Sequence, residues 1–275
     1  MIELWEAERF EEEKRSGRTC PLVIECSWIA PESGNKNVDR FTDTFSASKR
    51  LMLVKSKNTE VAETHLFSEL FGNLVARELG INTPEPGRVH ISAEFADALK
   101  FSPATRHIVL APGYGVGCAY LRGLAPTANF NTPNSEELAD MQTIFGADML
   151  MQNPDRRPEK PNCASFRGGI LAFDFELTFS FLLPLIGKQP PVWAIDQQGF
   201  HQNHLFYSEL KRRQSDLDWT PFCQRFETLM AERIQKIFAL VPADWNAYAE
   251  KVNAHLGEVR ANLSRFHDAL IRSLL

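Results

Sequence analysis

QNPDRRPEKPNCASFRGGILAFDFE, residues 152 to 176, carries two short apolar runs, CASF and ILAF, joined by Arg167, Gly168 and Gly169. A short glycine-containing connection between such runs closes a β-hairpin. Folding about Gly168 sets Phe166 against Ile170, and counting outward places Asn162 opposite Asp174, roughly 5 Å apart at Cα. One amide and one carboxylate then converge at the open end of the hairpin, and hard oxygen donors suit magnesium far better than zinc. Upstream, Asp155 lies in NPDRRPEKP, which Pro154, Pro158 and Pro161 keep extended and out of helix. Phosphoryl transfer needs a carboxylate to orient the attacking hydroxyl, and metal ligands to neutralise charge on the transferred group. Asp155 meets the first need, and Asn162 with Asp174 the second.

Toward the N-terminus, residues 19 to 30 and 50 to 56 are short apolar, partly β-branched runs and read as strands. Residues 62 to 79 repeat Leu66, Phe67, Leu70, Phe71, Leu74, Val75 and Leu79 at helical spacing, with Gly80 placed for a left-handed cap. Strand LMLVK ends in Lys55, and the helix after it carries Glu69. A strand lysine held by a glutamate from a following helix is how protein kinases position the α- and β-phosphates of ATP. INTPEPGRVHIS is a Pro-broken loop entering a strand, and ATRHIVLA at 104 to 111 reads as another strand.

Toward the C-terminus, Ser135 caps a helix to Met151, and residues 222 to 241 and 244 to 271 read as two further helices separated by Pro242. The expected fold class is α+β and bilobal, protein-kinase-like, with a strand-rich N-terminal lobe at about 1 to 118 and a mainly helical C-terminal lobe at 119 to 275.

LVKSK, SELFGNLVARELGINTPEP and NPDRRPEKPN with AFDFE, taken in that order, resemble the HipA-like kinases over roughly residues 45 to 180, and VPADW at 241 to 245 resembles that family's C-terminal part. The resemblance implies a kinase using ATP and magnesium, with Asp155 catalytic, Lys55 on the ATP phosphates, Glu69 holding Lys55, and Asn162 and Asp174 on the metal. It also implies a serine or threonine of a protein as the acceptor. Lys160 departs from the pattern, standing where related sequences often place another asparagine, and Ser33-Gly34-Asn35 is the one candidate for a phosphate-covering turn. The alternatives are a pseudokinase or nucleotide-binding module without turnover, and a lipid or small-molecule kinase, since NPDR has a close counterpart in phosphatidylinositol kinases.

Thirty basic and thirty-five acidic side chains give a net charge of −5, which argues against nucleic acid or an anionic membrane as partner. The opening MIELWEAERF lacks a secretory pattern, and the apolar stretch at 170 to 186 is interrupted by Asp174, Glu176 and Pro184, so a cytoplasmic protein is expected. Five cysteines without a CxxC pair read as buried thiols. Gly113, Gly115 and Gly117 in APGYGVGCA read as a flexible loop, since GxGxxG is broken by Cys118, and His201 and His204 of HQNH read as surface or packing residues. The absence of GxSxG and of GxxxxGK[ST] argues against serine hydrolases and P-loop NTPases.

Overall fold

The computed structural model describes all residues except 1, 15 to 18, 30 to 48, 58 to 60, 127 to 131 and 184 to 189. The Ser33-Gly34-Asn35 turn lies outside the described residues. The architecture is α+β, in two compact units: Met1–Leu66 with Glu85–Tyr120, and Phe67–Pro84 with Leu121–Leu275. Helix α1 (Glu63–Glu78) runs from the first stretch into the second.

The first unit is a closed five-stranded barrel of β1 (Glu3–Glu13), β2 (Leu22–Trp28), β3 (Lys49–Lys55), β4 (Pro86–Ile91) and β5 (Gly113–Ala119), in the order β1-β2-β3-β5-β4. Strands β1 and β4 run parallel and close the barrel; the other pairings are antiparallel. Alternation puts Trp5, Ile24, Cys26, Met52, Val54, Val89 and Ile91 into one buried cluster. Such a small barrel has little interior volume, and glycine makes the space. Strand β5 is therefore GYGVGCA, a strand and not the flexible loop its composition suggests. A Cβ on Gly115 would lie 2.6 Å from the Lys55 carbonyl oxygen, and one on Gly117 would lie 3.0 Å from Val89 Cγ2.

Residues 104 to 111 form no strand. Helix α2 (Ala93–Phe101), capped by the Ser92 hydroxyl on the Phe95 N–H, precedes a series of turns in which the Thr105 N–H donates to Ser102 and the Ile108 N–H to Thr105. The apolar pattern there serves burial of Ile108 and Leu110 in the barrel cluster, with no strand partner involved.

The second unit is mainly helical around a three-stranded sheet of β6 (Ala125–Pro126), β7 (Cys163–Phe166) and β8 (Gly169–Ala172). Helix α1 ends in a Schellman motif: Gly80, at φ 90°, donates to Arg77, and Ile81 donates to Ala76. The chain then returns past β8, where the Ala172 N–H donates to the Asn82 carbonyl. Helix α3 (Ser135–Leu150) is capped one residue before the expected position: Asn134 accepts from Glu136 and Glu137, and the Glu137 side chain accepts from the Asn134 N–H. Reciprocal capping by Asn134 and Glu137 satisfies more of the free N–H groups than Ser135 alone would.

Past the short helix α4 (Tyr207–Arg212), the expected helix at 222 to 241 is α5 (Thr220–Thr228) and α6 (Ile234–Phe238) joined by a π-helical turn, Leu229–Arg233. The expected helix at 244 to 271 breaks at Asn262, with φ −120°, into α7 (Asn246–Ala261) and α8 (Leu263–Ser273). No described helix is long and apolar enough to cross a membrane. The five cysteines form no disulfide; Cys26, Cys163 and Cys223 are buried, and Cys20 and Cys118 half-buried.

Candidate active site

The hairpin of β7 and β8 forms, in a register one step tighter than expected. Phe166 pairs with Gly169 and Cys163 with Ala172, so the turn holds two residues, Arg167 and Gly168, at φ 51° and 88°. Two-residue turns with both φ positive match the twist of a hairpin, which is why the shorter loop forms. Asn162 therefore faces Phe173, whose N–H donates to the Asn162 carbonyl at 3.0 Å, and Asp174 lies one residue beyond. Both Asn162 (φ 49°) and Asp174 (φ 61°) adopt the left-handed conformation, ending the ladder at the hairpin's mouth.

Asp155 is buried, and its Oδ2 accepts hydrogen bonds from Asn162 Nδ2 at 3.1 Å and Lys160 Nζ at 2.5 Å. Its backbone N–H donates to Asn153 Oδ1. Lys160 also stands 3.3 Å from Asp174 Oδ2 and 3.9 Å from Glu176 Oε1. Burial works against the Lys160 charge, but Asp174, Asp155 and Glu176 outweigh it and raise the ammonium above the ordinary lysine range.

Glu69 approaches the same place from α1. Its Oε2 accepts the Phe175 N–H at 3.1 Å, fixing the backbone between Asp174 and Glu176. One carboxylate oxygen each from Glu69, Asp174 and Glu176 lie within 4.8 Å of one another. This is a hard, all-oxygen donor set without imidazole or thiolate, which fits magnesium and does not fit zinc. The close approach of α1 depends on Gly72, where a Cβ would lie 2.5 Å from the Thr178 hydroxyl.

Beneath the mouth, Arg156 is fully buried and ties the loop to α3. Its Nε donates to Asp148 Oδ2 at 2.5 Å, and its NH1 donates to the Asn162 carbonyl and meets Cys163 Sγ at 3.3 Å. Burial favours the neutral form of Asp148, but Arg156 and His204 hold its carboxyl below the ordinary aspartate range. His204 Nδ1 accepts the Phe206 N–H, which leaves the Nε2 proton to donate to Asp148 at 3.0 Å. Burial holds this imidazole neutral, lowering its basicity despite Asp148. The burial of His201 and His204 makes them packing residues and not surface ones.

Of the residues singled out in the sequence, Glu69, Asp155, Asn162 and Asp174 thus lie in the second unit, where hydrogen bonds and the carboxylate cluster connect them. Lys55 lies in the first unit, buried at the end of β3. Sequence reasoning missed three participants. Glu176 could have been found two positions after Asp174, on the same polar edge. Arg156 could have been found within NPDR as a charge next to the catalytic candidate. Lys160 was visible only as a departure from pattern.

No protein-family model matches the chain, and no curated protein matches it. Among solved structures, the Helicobacter pylori proinflammatory kinase CtkA is similar to this chain at 13% identity and a TM-score of 0.48, with 96% of each chain covered.

Proposed function

We propose that the chain is an ATP- and magnesium-dependent phosphotransferase of the HipA-like type, acting on a serine or threonine hydroxyl of a protein. One observation carries the reading: the buried Asp155 carboxylate is fixed by Asn162 in a loop braced from below, and Glu69, Asp174 and Glu176 gather hard oxygen donors at the mouth of the same hairpin. In the reaction the acceptor oxygen bonds to the γ-phosphorus, the β–γ bridging P–O bond breaks, and ADP leaves. Asp155 orients the acceptor hydroxyl and takes its proton. Glu69, Asp174 and Glu176 would hold magnesium, with Asn162 beside them; when bound, the ion supplies charge neutralisation on the transferred phosphoryl group. Lys55 keeps the part the resemblance gives it, an ammonium on the ATP phosphates, while Glu69, which the resemblance gives to Lys55, is read instead as a magnesium ligand. The net charge of −5 favours a protein over a lipid acceptor.

The test is transfer of labelled γ-phosphate from ATP to the protein itself and to a cell extract, with folding matched across variants. Wild type should transfer label, and Asp155→Asn and Asp174→Asn should each lose about 10²-fold or more. A second reading, nucleotide binding without turnover, is favoured by the 2.5 Å contact of Lys160 on the oxygen of Asp155 that would serve the acceptor. ATP binding without label would establish it, and no ATP binding would sink both.

A further inference from the structure

Lys160 is placed by its backbone before its side chain is considered. The Arg157 N–H donates to the Lys160 carbonyl at 3.1 Å and the Lys160 N–H to the Arg157 carbonyl at 3.0 Å, closing a tight turn through Pro158 and Glu159. That turn folds Lys160 back over Asp155. The ammonium then lies between two sets of carboxylates, 2.5 Å from Asp155 on one side and 3.3 and 3.9 Å from Asp174 and Glu176 on the other.

Four acidic side chains, Glu69, Asp155, Asp174 and Glu176, thus share one small volume, and three of them are buried. Such a concentration of negative charge requires cations. A cation bridging Asp155 and Asp174 would have to stand where the Lys160 ammonium stands, and two cations do not share that space. Glu69 adds a third carboxylate to Asp174 and Glu176, and one oxygen of each lies within 4.8 Å of the others, which leaves this group as the place for one divalent ion.

We propose that Lys160 is a built-in cation bridging Asp155 and Asp174, so that the site takes one divalent ion, and that an uncharged residue at this position would let it take two. The proposal rests on the phosphotransferase reading and specifies its metal requirement. Lys160 is thereby a positioning residue: its ammonium, 2.5 Å from Asp155 Oδ2, holds that carboxylate in place.

The experiment counts Mn²⁺ bound per full-length chain by paramagnetic resonance titration, with a non-hydrolysable ATP analogue present. Wild type should bind one ion, Lys160→Met two, and Lys160→Arg, which keeps the charge, one. The second ion on Lys160→Met should saturate at a Mn²⁺ concentration at least tenfold below any second binding to wild type. Two tightly held ions on wild type would overturn the proposal whatever the variants do, so a Lys160→Met chain that fails to fold leaves it decidable. Equal counts on wild type and Lys160→Met, with phosphotransfer intact in wild type, would overturn this proposal alone. No Mn²⁺ on any chain would overturn the phosphotransferase reading with it.

Discussion

Replacing Asp148 with asparagine removes one charge from a pair whose side chains are 1% and 0% exposed. Arg156 would remain, a buried guanidinium without its counter-charge. With charge centres about 4 Å apart and an effective dielectric near 20, the lost attraction is about 4 kcal/mol. That agrees with the range of about 3 to 5 kcal/mol for breaking a buried pair from one side. Asp148→Asn should therefore lower the unfolding free energy by about 3 to 5 kcal/mol in urea titrations at neutral pH. The double variant Asp148→Asn with Arg156→Met should recover part of that loss, because no charge is stranded. Glu227→Gln, which breaks the exposed pair with Arg260, serves as control and should leave the midpoint unchanged. The folded-state value of Asp148 lies below 3.8, so its contribution is present above about pH 4 and lost as pH falls through the depressed value. A change under about 1 kcal/mol for Asp148→Asn, or a double variant as unstable as the sum of the singles, would refute the view that Arg156 is held by charge pairing.

Acid should act through His255, which is buried, stacked on Phe181 at 4.5 Å, bonded to the Leu150 carbonyl and shifted by burial down to about 4. It folds neutral, so its contribution of about 3 kcal/mol is whole above pH 6.5 and declines as pH falls toward 4. In His255→Gln the acid slope of the unfolding free energy should shrink, His201, His204 and, at lower pH, Asp148 supplying what remains; an unchanged slope would contradict this. In the barrel, Gly115→Ala places a methyl 2.6 Å from the Lys55 carbonyl and should cost about 1 to 3 kcal/mol, with weaker ATP binding as the end of β3 shifts. Gly257→Ala, in α7 with nothing within 4 Å, should be neutral or stabilising; with both variants followed by thermal unfolding, equal melting would dismiss the steric account.

Local patterns in the chain announce much of this arrangement. The amphipathic run before Gly80, the strand ending at Lys55 and the two apolar runs around Gly168 each carry their own periodicity or turn chemistry, and each appears within a residue or two of its expected place. What local pattern misses is decided by distant partners. ELWEAERFEEE has no strong strand preference, yet it becomes β1 because Trp5 and Ala7 face the barrel interior. GYGVGCA reads as a loop because glycine disfavours strands, and only the crowding against Lys55 and Val89 explains why the strand needs it. ATRHIVLA has the apolar, partly β-branched content of a strand, but that content records burial and not pairing. At the candidate site, the nearness of Asp155, Asn162 and Asp174 is legible because all three lie in one turn-rich local motif. Arg156 and Lys160 are hidden because their roles depend on Asp148 from α3 and on Asp174 and Glu176 beyond the hairpin.

The positive φ angles of Asn162 and Asp174 also limit which sequences this site can drift through. Asparagine, aspartate and glycine enter the left-handed region with little strain, whereas longer or branched side chains do so at a cost. Glycine brings no oxygen donor, so backbone conformation and ligand chemistry together leave asparagine and aspartate as the residues both positions accept. An exchange between those two alters charge while keeping the hairpin mouth in shape, and it takes a single nucleotide change in the codon. A step to glutamate or glutamine meets a conformational barrier before reach or charge is considered. The neutral and acidic forms of this mouth are therefore close neighbours in sequence space, and most other substitutions lie outside the path between them.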